Sequence, residues 1–248
     1  MQILIELLVF VAFIGLVGWT IFDKSGRAQL KAKCLEDWLL DSAGLLVQGM
    51  LIPLLQATVI YQLYSHWLPM WQGYFHPTPI LTFFLSFVAV DYLYYWNHRL
   101  LHSGFFWNFH QVHHTVTHLD VLGTSRNTLW ASFLIVYLWV HSLFLYLLAD
   151  PTGYLLGVSL SSALDLWRHS QLTIPSNSWL YRYLSPWLIL PQDHAWHHSS
   201  QSPDRNYGAN LKLWDRLHGT YYAESELPRE IGTATSLTFT QKLLFPFL

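Results

Sequence analysis

Charge is what this 248-residue chain has least of: 11% of its residues are Asp, Glu, Lys or Arg, against about 25% in a soluble globular domain. Thirteen basic and fifteen acidic residues leave a net charge of −2. No basic stripe is present, which excludes nucleic acid as an expected partner. Cys34 is the single cysteine, so there is neither an intramolecular disulfide nor a thiolate metal cluster. The chain lacks the Cys-x-x-Cys-His of covalent haem attachment and the glycine fingerprint of dinucleotide binding. It also lacks the Glu-x-x-His pairs of soluble di-iron bundles. Its first twenty residues, MQILIELLVFVAFIGLVGWT, have no basic start and no small-residue cleavage site. They read as a retained first membrane span rather than a signal peptide.

What the chain does have is oil: 52% of its residues are hydrophobic and 17% aromatic. Apolar runs of bilayer-crossing length recur, at about 2–21, 39–64, 79–98, 127–149 and 152–168. Each is expected to be helical, because backbone groups in hydrocarbon must bond internally. The fold class expected is therefore all-α: one polytopic membrane domain over residues 1–248 with about five spans. Pro53 is expected to kink the second span and Pro79 to open the third, and ADPTG (149–153) to turn tightly between the fourth and fifth.

The basic residues set an orientation. Lys24, Arg27, Lys31 and Lys33 follow the first span, Arg99 and Arg126 flank the segment between the third and fourth, and the remaining seven begin at Arg168, where the fifth ends. The loop 65–78 and the turn at 150 contain none. The positive-inside rule then places the N-terminus outside and the C-terminus in the cytoplasm. The segment 176–190, rich in Trp and Tyr and broken by Pro186, is too short to span and suits a helix lying at the cytoplasmic headgroups.

Fourteen histidines punctuate this sparsely charged chain. Nine fall in HRLLH (His98, His102), HQVHH (His110, His113, His114), RHSQ (His169) and HAWHH (His194, His197, His198). With the orientation above, all nine lie at cytoplasmic span ends or in cytoplasmic segments, so clusters distant in sequence can share one site. Helical residues three and four apart project from one face, which lets each cluster aim several imidazoles at a common point. A rise of 1.5 Å per residue puts His98 and His102 about 28–35 Å from Pro79, at the edge of the hydrocarbon. One four-coordinate zinc uses three or four ligands. Nine imidazoles suit two metals of higher coordination, and imidazole alone does not choose among Fe, Zn, Cu and Ni. Asp91, one helical face from His98 and inside the membrane zone, is expected to be functional because an intramembrane carboxylate is costly; bracing a ligand is its expected task. Asn206 is a candidate for ordering the third histidine box. His66, His76 and His141 fall on or toward the outer side.

From about Asp91 to Thr220 the chain resembles the fatty acid hydroxylase superfamily, also called the sterol desaturase family. The resemblance rests on DYLYYWNHRLLH, WNFHQVHH, RHSQL, HAWHHS and NYGANLKLWDRLHGT, in that order. It implies that 91–220 is the catalytic region. It also implies that His98, His102, His110, His113, His114, His169, His194, His197 and His198 bind a di-iron centre at the cytoplasmic face, capped by cytosolic helices. No catalytic residue beyond the metal ligands is implied. Several relatives carry a histidine where this chain has Asp165, which is read as a ligand, a partner of a ligating imidazole or a polar helix end. Arg126 is kept but a following histidine is not, His218 stands where phenylalanine is common, and His118 matches no family ligand. The resemblance further implies a non-haem monooxygenase that uses O2, two iron ions and external electrons to hydroxylate an unactivated C–H bond of a lipid such as a fatty acyl, sterol-like or ether lipid. Desaturation on the same site is the alternative. The electron donor expected is a separate ferredoxin or b-type cytochrome. From another class, a non-catalytic metal-binding or transport protein would place ionisable groups at the midplane on an axis joining both faces. A zinc lipid hydrolase would leave most of the nine histidines unused.

Overall fold

A computed structural model describes residues 2–201, 204–224, 226–244 and 246–247. Among them the elements are helical, with only two isolated β-bridges, Phe75–Leu148 and Leu188–Leu211. Helix α1 (Gln2–Phe22) turns through 92° into α2 (Lys24–Ala32). Asp23 makes that corner, its carboxylate accepting from the Gly26 amide at 2.8 Å as an N-cap. Helix α3 (Leu35–Trp67) and helix α4 (Pro79–Leu101) are long and apolar enough to cross a bilayer, and the α1–α2 pair adds a third span if it counts as one. Their outer faces carry exposed Leu46, Met50, Leu54, Ile80 and Phe84, as lipid-facing surfaces do.

Pro53 does not break α3. Wide π-turns at Val47–Leu51 and Gln56–Ile60 bracket it, and such turns take up the bond a proline cannot make. Thr78 caps α4, with Pro79 in its first turn as expected. The fourth apolar run differs. It forms a single helical turn at Ala131–Leu134 and a longer helix only at α5 (Val136–Leu147), whose twelve residues rise about 18 Å, short of the hydrocarbon core. The cause is a clamp from α4: the Asn97 side chain accepts from the Val136 amide (3.1 Å) and donates to the Leu134 carbonyl (2.9 Å), and Ile135 is extended. The residues ahead of it floor a cavity instead. Helix α6 (Thr152–Arg168) then lies against α4 through Gly153 and Gly157, where a Cβ would overlap the Pro79 carbonyl and the Ser86 hydroxyl. This small-residue spacing allows close helix approach in a bilayer. Beyond α6, the chain forms α7 (Trp179–Leu184), α8 (Pro191–His197) and α9 (Lys212–Leu217). Trp179, Tyr183 and Trp187 of the expected headgroup segment are all exposed.

Candidate metal centre

The nine histidines converge from four chain segments. His98 lies in α4 and His102 caps its C-terminus; His110 closes a single helical turn and His113 and His114 open a 3-10 turn. His169 caps α6, and His194, His197 and His198 occupy α8 and its end. They sort into two sets, His98, His102, His110, His114 and His197 in one, and His113, His169, His194 and His198 in the other. Within each set one nitrogen per ring lies within 4.8 Å of all the others. The boxes are thus divided rather than each aimed at one point. In each H-x-x-H-H the four-apart pair serves one set and the third histidine the other.

The nitrogens approach as ligands of a common ion do. His98 and His110 Nε2 are 3.0 Å apart, His194 and His169 Nε2 2.9 Å, His198 and His194 Nε2 3.1 Å, and His169 and His113 Nε2 3.3 Å. Metal–nitrogen bonds of about 2.1 Å at right angles bring neighbouring ligand atoms to about 3.0 Å. The Nε2 atoms of His102, His114 and His197 are buried with no hydrogen-bond partner, a costly state unless something accepts their lone pairs.

The opposite ring nitrogens explain the orientation. The Nδ1–H groups of His98, His113, His169 and His197 donate to the carbonyls of Tyr207 (2.8 Å), Arg126 (3.1 Å), Asp165 (2.9 Å) and Arg205 (2.7 Å). That fixes the tautomer with Nε2 free, the usual outer support of a metal-binding histidine. His102 Nδ1 lies 3.4 Å from the Asp204 carboxylate. Burial, followed by mutual repulsion, holds His110, His114, His194, His197 and His198 well below the usual imidazole range, and burial beside His169 pushes His113 down to about 3. All are therefore neutral donors at physiological pH, as ligation requires.

The three other candidates have distinct places. The Asp165 carboxylate pairs with Arg168 (2.6 Å), lies 3.4 Å from His169 Nδ1 and is outside both nitrogen sets. Asn206, fully buried with φ +53°, donates to the carbonyls of Asp193 (2.9 Å) and Tyr222 (2.8 Å) and so ties the α8 box to the following loop. Asn is among the few residues that tolerate this backbone region. Asp91 braces no ligand directly: it accepts from the Asn210 and Leu211 amides (2.8 and 3.1 Å) and from Trp214 (2.8 Å). It thereby pins the 207–214 segment, whose Tyr207 carbonyl holds His98.

Sequence reading missed the rest of this scaffold. Asp193 caps α8 through the Leu190 amide and pairs with buried Lys212 at 2.7 Å. Asp215 accepts from the Tyr207 and Gly208 amides, and Arg168 donates to the Ala209 carbonyl. Beneath the second set, Lys33 bridges Asp41 and Asp120 while Arg126 bridges Asp37 and Asp41. His118 lies 3.9 Å from Asp120, outside both nitrogen sets. His218 stacks on Tyr92 and Tyr95. Pairs such as Arg126–Asp41, Lys33–Asp120 and Arg168–Ala209 join residues far apart in sequence and have no spacing signature.

A cavity of about 690 Å³ opens from the histidines and runs between α1, α3, α5 and α6. His98, His110, His113, His169 and His194 face it at one end, and Phe10, Phe13, Ile52, Leu138 and Leu166 line its walls. Its volume is in the range of small-molecule and lipid sites.

Together, the membrane-crossing helices, the paired nitrogen sets and the apolar cavity define a membrane protein able to hold metal beside a lipid-sized space. Residues 83–220 match the family described as fatty acid hydroxylase, and the chain belongs to that family. It is 31% identical over 179 residues to alkylglycerol monooxygenase of Danio rerio, covering 67% of this chain and 37% of that protein. It is 30% identical over 152 residues to the Homo sapiens protein of the same name, covering 58% and 32%. To the ornithine lipid hydroxylase OlsE of Rhizobium tropici it is 30% identical over 177 residues, covering 66% and 49%. The chain thus spans about a third to a half of the length of these relatives. No solved structure matches it.

Proposed function

We propose that this chain is a membrane-bound, non-haem lipid hydroxylase. In this reading the nine histidines hold two iron ions, O2 is the co-substrate, and a separate electron-transfer protein, a ferredoxin or b-type cytochrome, supplies electrons. The lipid is a fatty acyl, sterol-like or ether lipid. One observation carries the reading: two sets of mutually close imidazoles open onto one apolar cavity among bilayer-length helices. The family and the names of the relatives support it. An external N-terminus and a cytoplasmic site remain the preferred orientation, because the basic residues favour it.

Iron held there would supply the oxygen activation and C–H chemistry that no side chain of this chain can perform. The chain's own residues do the rest. His98, His102, His110, His114 and His197 would hold one ion, and His113, His169, His194 and His198 the other. The carbonyls of Tyr207, Arg126, Asp165 and Arg205 keep the rings turned inward. The walls of Phe10, Phe13, Ile52 and Leu166 displace water from the chain of a bound lipid and present it to the ring edges of both sets.

The test is iron-loaded protein in liposomes of native lipid, given a chemical reductant and oxygen-18 gas, with the lipids analysed by mass spectrometry. A lipid carrying one oxygen-18 is the expected product. A lipid that loses two hydrogens without label would instead establish the desaturase, and unchanged lipids with metal bound would favour the non-catalytic protein.

A further inference from the structure

The cavity does not end in hydrocarbon. On α3 its lining runs from Leu45 to Gln56 and on α6 from Val158 to His169, eleven helical steps in each case, so both stretches give it a length of about 16 Å. The histidine sets occupy one end. At the other stand His141, Gln56 and Ser86, polar side chains within apolar helices, where they are costly and functional by default.

His141 is oriented from behind. Its Nδ1 is 2.9 Å from the hydroxyl of fully buried Tyr154, and its ring stacks on Tyr137 at 4.9 Å and 12°. Rings step from there to Tyr94 (4.7 Å) and to His98 (5.2 Å), so the two ends lie within about 15 Å of one another. Gln56 donates its amide to the Tyr137 carbonyl at 3.1 Å, the carbonyl one helical turn before His141. Among the described residues, neither Nε2 of His141 nor Oε1 of Gln56 has a protein partner, while the Ser86 hydroxyl is taken by the Phe83 carbonyl. No Lys or Arg lines this end; Arg168, at the histidine end, is already paired with Asp165. A phosphate or carboxylate here would be a buried, unpaired charge.

We propose that His141 and Gln56 form a recognition site for an uncharged hydroxyl group of the bound lipid, within about 15 Å of the histidine sets. With Tyr154 donating to Nδ1, the His141 Nε2–H donates to the hydroxyl oxygen and the Gln56 carbonyl accepts its hydrogen. One hydroxyl satisfies both, and it fixes which carbon along the chain reaches the metal end. This deepens the hydroxylase reading by adding a positioning site to its substrate cavity.

The test needs neither metal nor turnover. Binding of tritiated 1-dodecanol and of tritiated dodecane to the detergent-solubilised protein is measured by scintillation proximity against protein-free micelles. Wild type should prefer the alcohol about fivefold or more, the scale of one or two net hydrogen bonds. His141→Leu and Gln56→Leu should each reduce that preference toward one while dodecane binding, which reports an intact cavity, is unchanged. Equal binding of both ligands to wild type, or a preference that survives both substitutions, overturns the proposal. If His141→Leu fails to fold, Gln56→Leu decides alone: loss of the preference supports the site and retention overturns it. Absence of metal or of oxygenase activity would sink the hydroxylase reading and leave this measurement intact.

Discussion

At the scale of single residues, function is written in pairs of nitrogens. Nine histidines are legible in the sequence because they recur at helical spacing in a chain that is otherwise short of polar groups. Their division into two sets is not, because it depends on the α4 end, the His113 turn and α8 meeting in space. Asp165 shows what geometry adds. Sequence leaves it as ligand, partner or helix end; the structure sets its carboxylate against Arg168 and behind His169. Asp165→Ala is therefore expected to keep the metal stoichiometry of wild type and to weaken affinity by about tenfold, the scale of losing an outer support. Metal titration of the purified protein checks this, and loss of one ion per chain would mark the carboxylate as a ligand. Asp193, Asp215 and Lys212 were beyond sequence reading for the same reason that they matter. Each is a buried polar group paired across loops, and nothing local announces it.

At the scale of elements, hydropathy locates α1, α3, α4 and α6 well, since bilayer-length apolar runs have few other uses. It overextends α5. The residues from 127 to 135 are apolar enough to read as helix, yet Asn127, Ser132 and Ile135 line the cavity, only one turn forms at Ala131–Leu134, and Asn97 starts the longer helix at Val136. Helix contacts make a sharper prediction. Gly157 touches Ser86 and the Phe83 carbonyl, whereas Gly15 on α1 has no neighbour within 4 Å of an added Cβ. Gly157→Val should cost about 1–3 kcal/mol through overpacking, seen as a lower melting temperature in mild detergent. Gly15→Val should leave that temperature nearly unchanged. Equal tolerance at both sites would contradict the α4–α6 packing.

At the scale of the whole molecule, the proposed function has one sidedness, with the histidines, α2 and the C-terminal helices on the cytoplasmic face. Thirteen basic residues favour it, and the sequence alone carries that argument, because the helices pack identically whichever way they face. Cys34, single and exposed, offers a probe between α2 and α3. A membrane-impermeant maleimide should label it in inside-out vesicles and leave it unlabelled in right-side-out ones. His76→Cys, at an exposed position of the loop between α3 and α4 and in a Cys34→Ser background, should show the reverse.

Two metal ions sharing the site are what the proposed function rests on. Iron content per chain, measured on protein from iron-supplied cells purified without oxygen in mild detergent, tests it most directly, with His197→Ala as control. Wild type should carry about two irons per chain, and the variant should have lost them. One zinc or no metal, unchanged by the substitution, would contradict it.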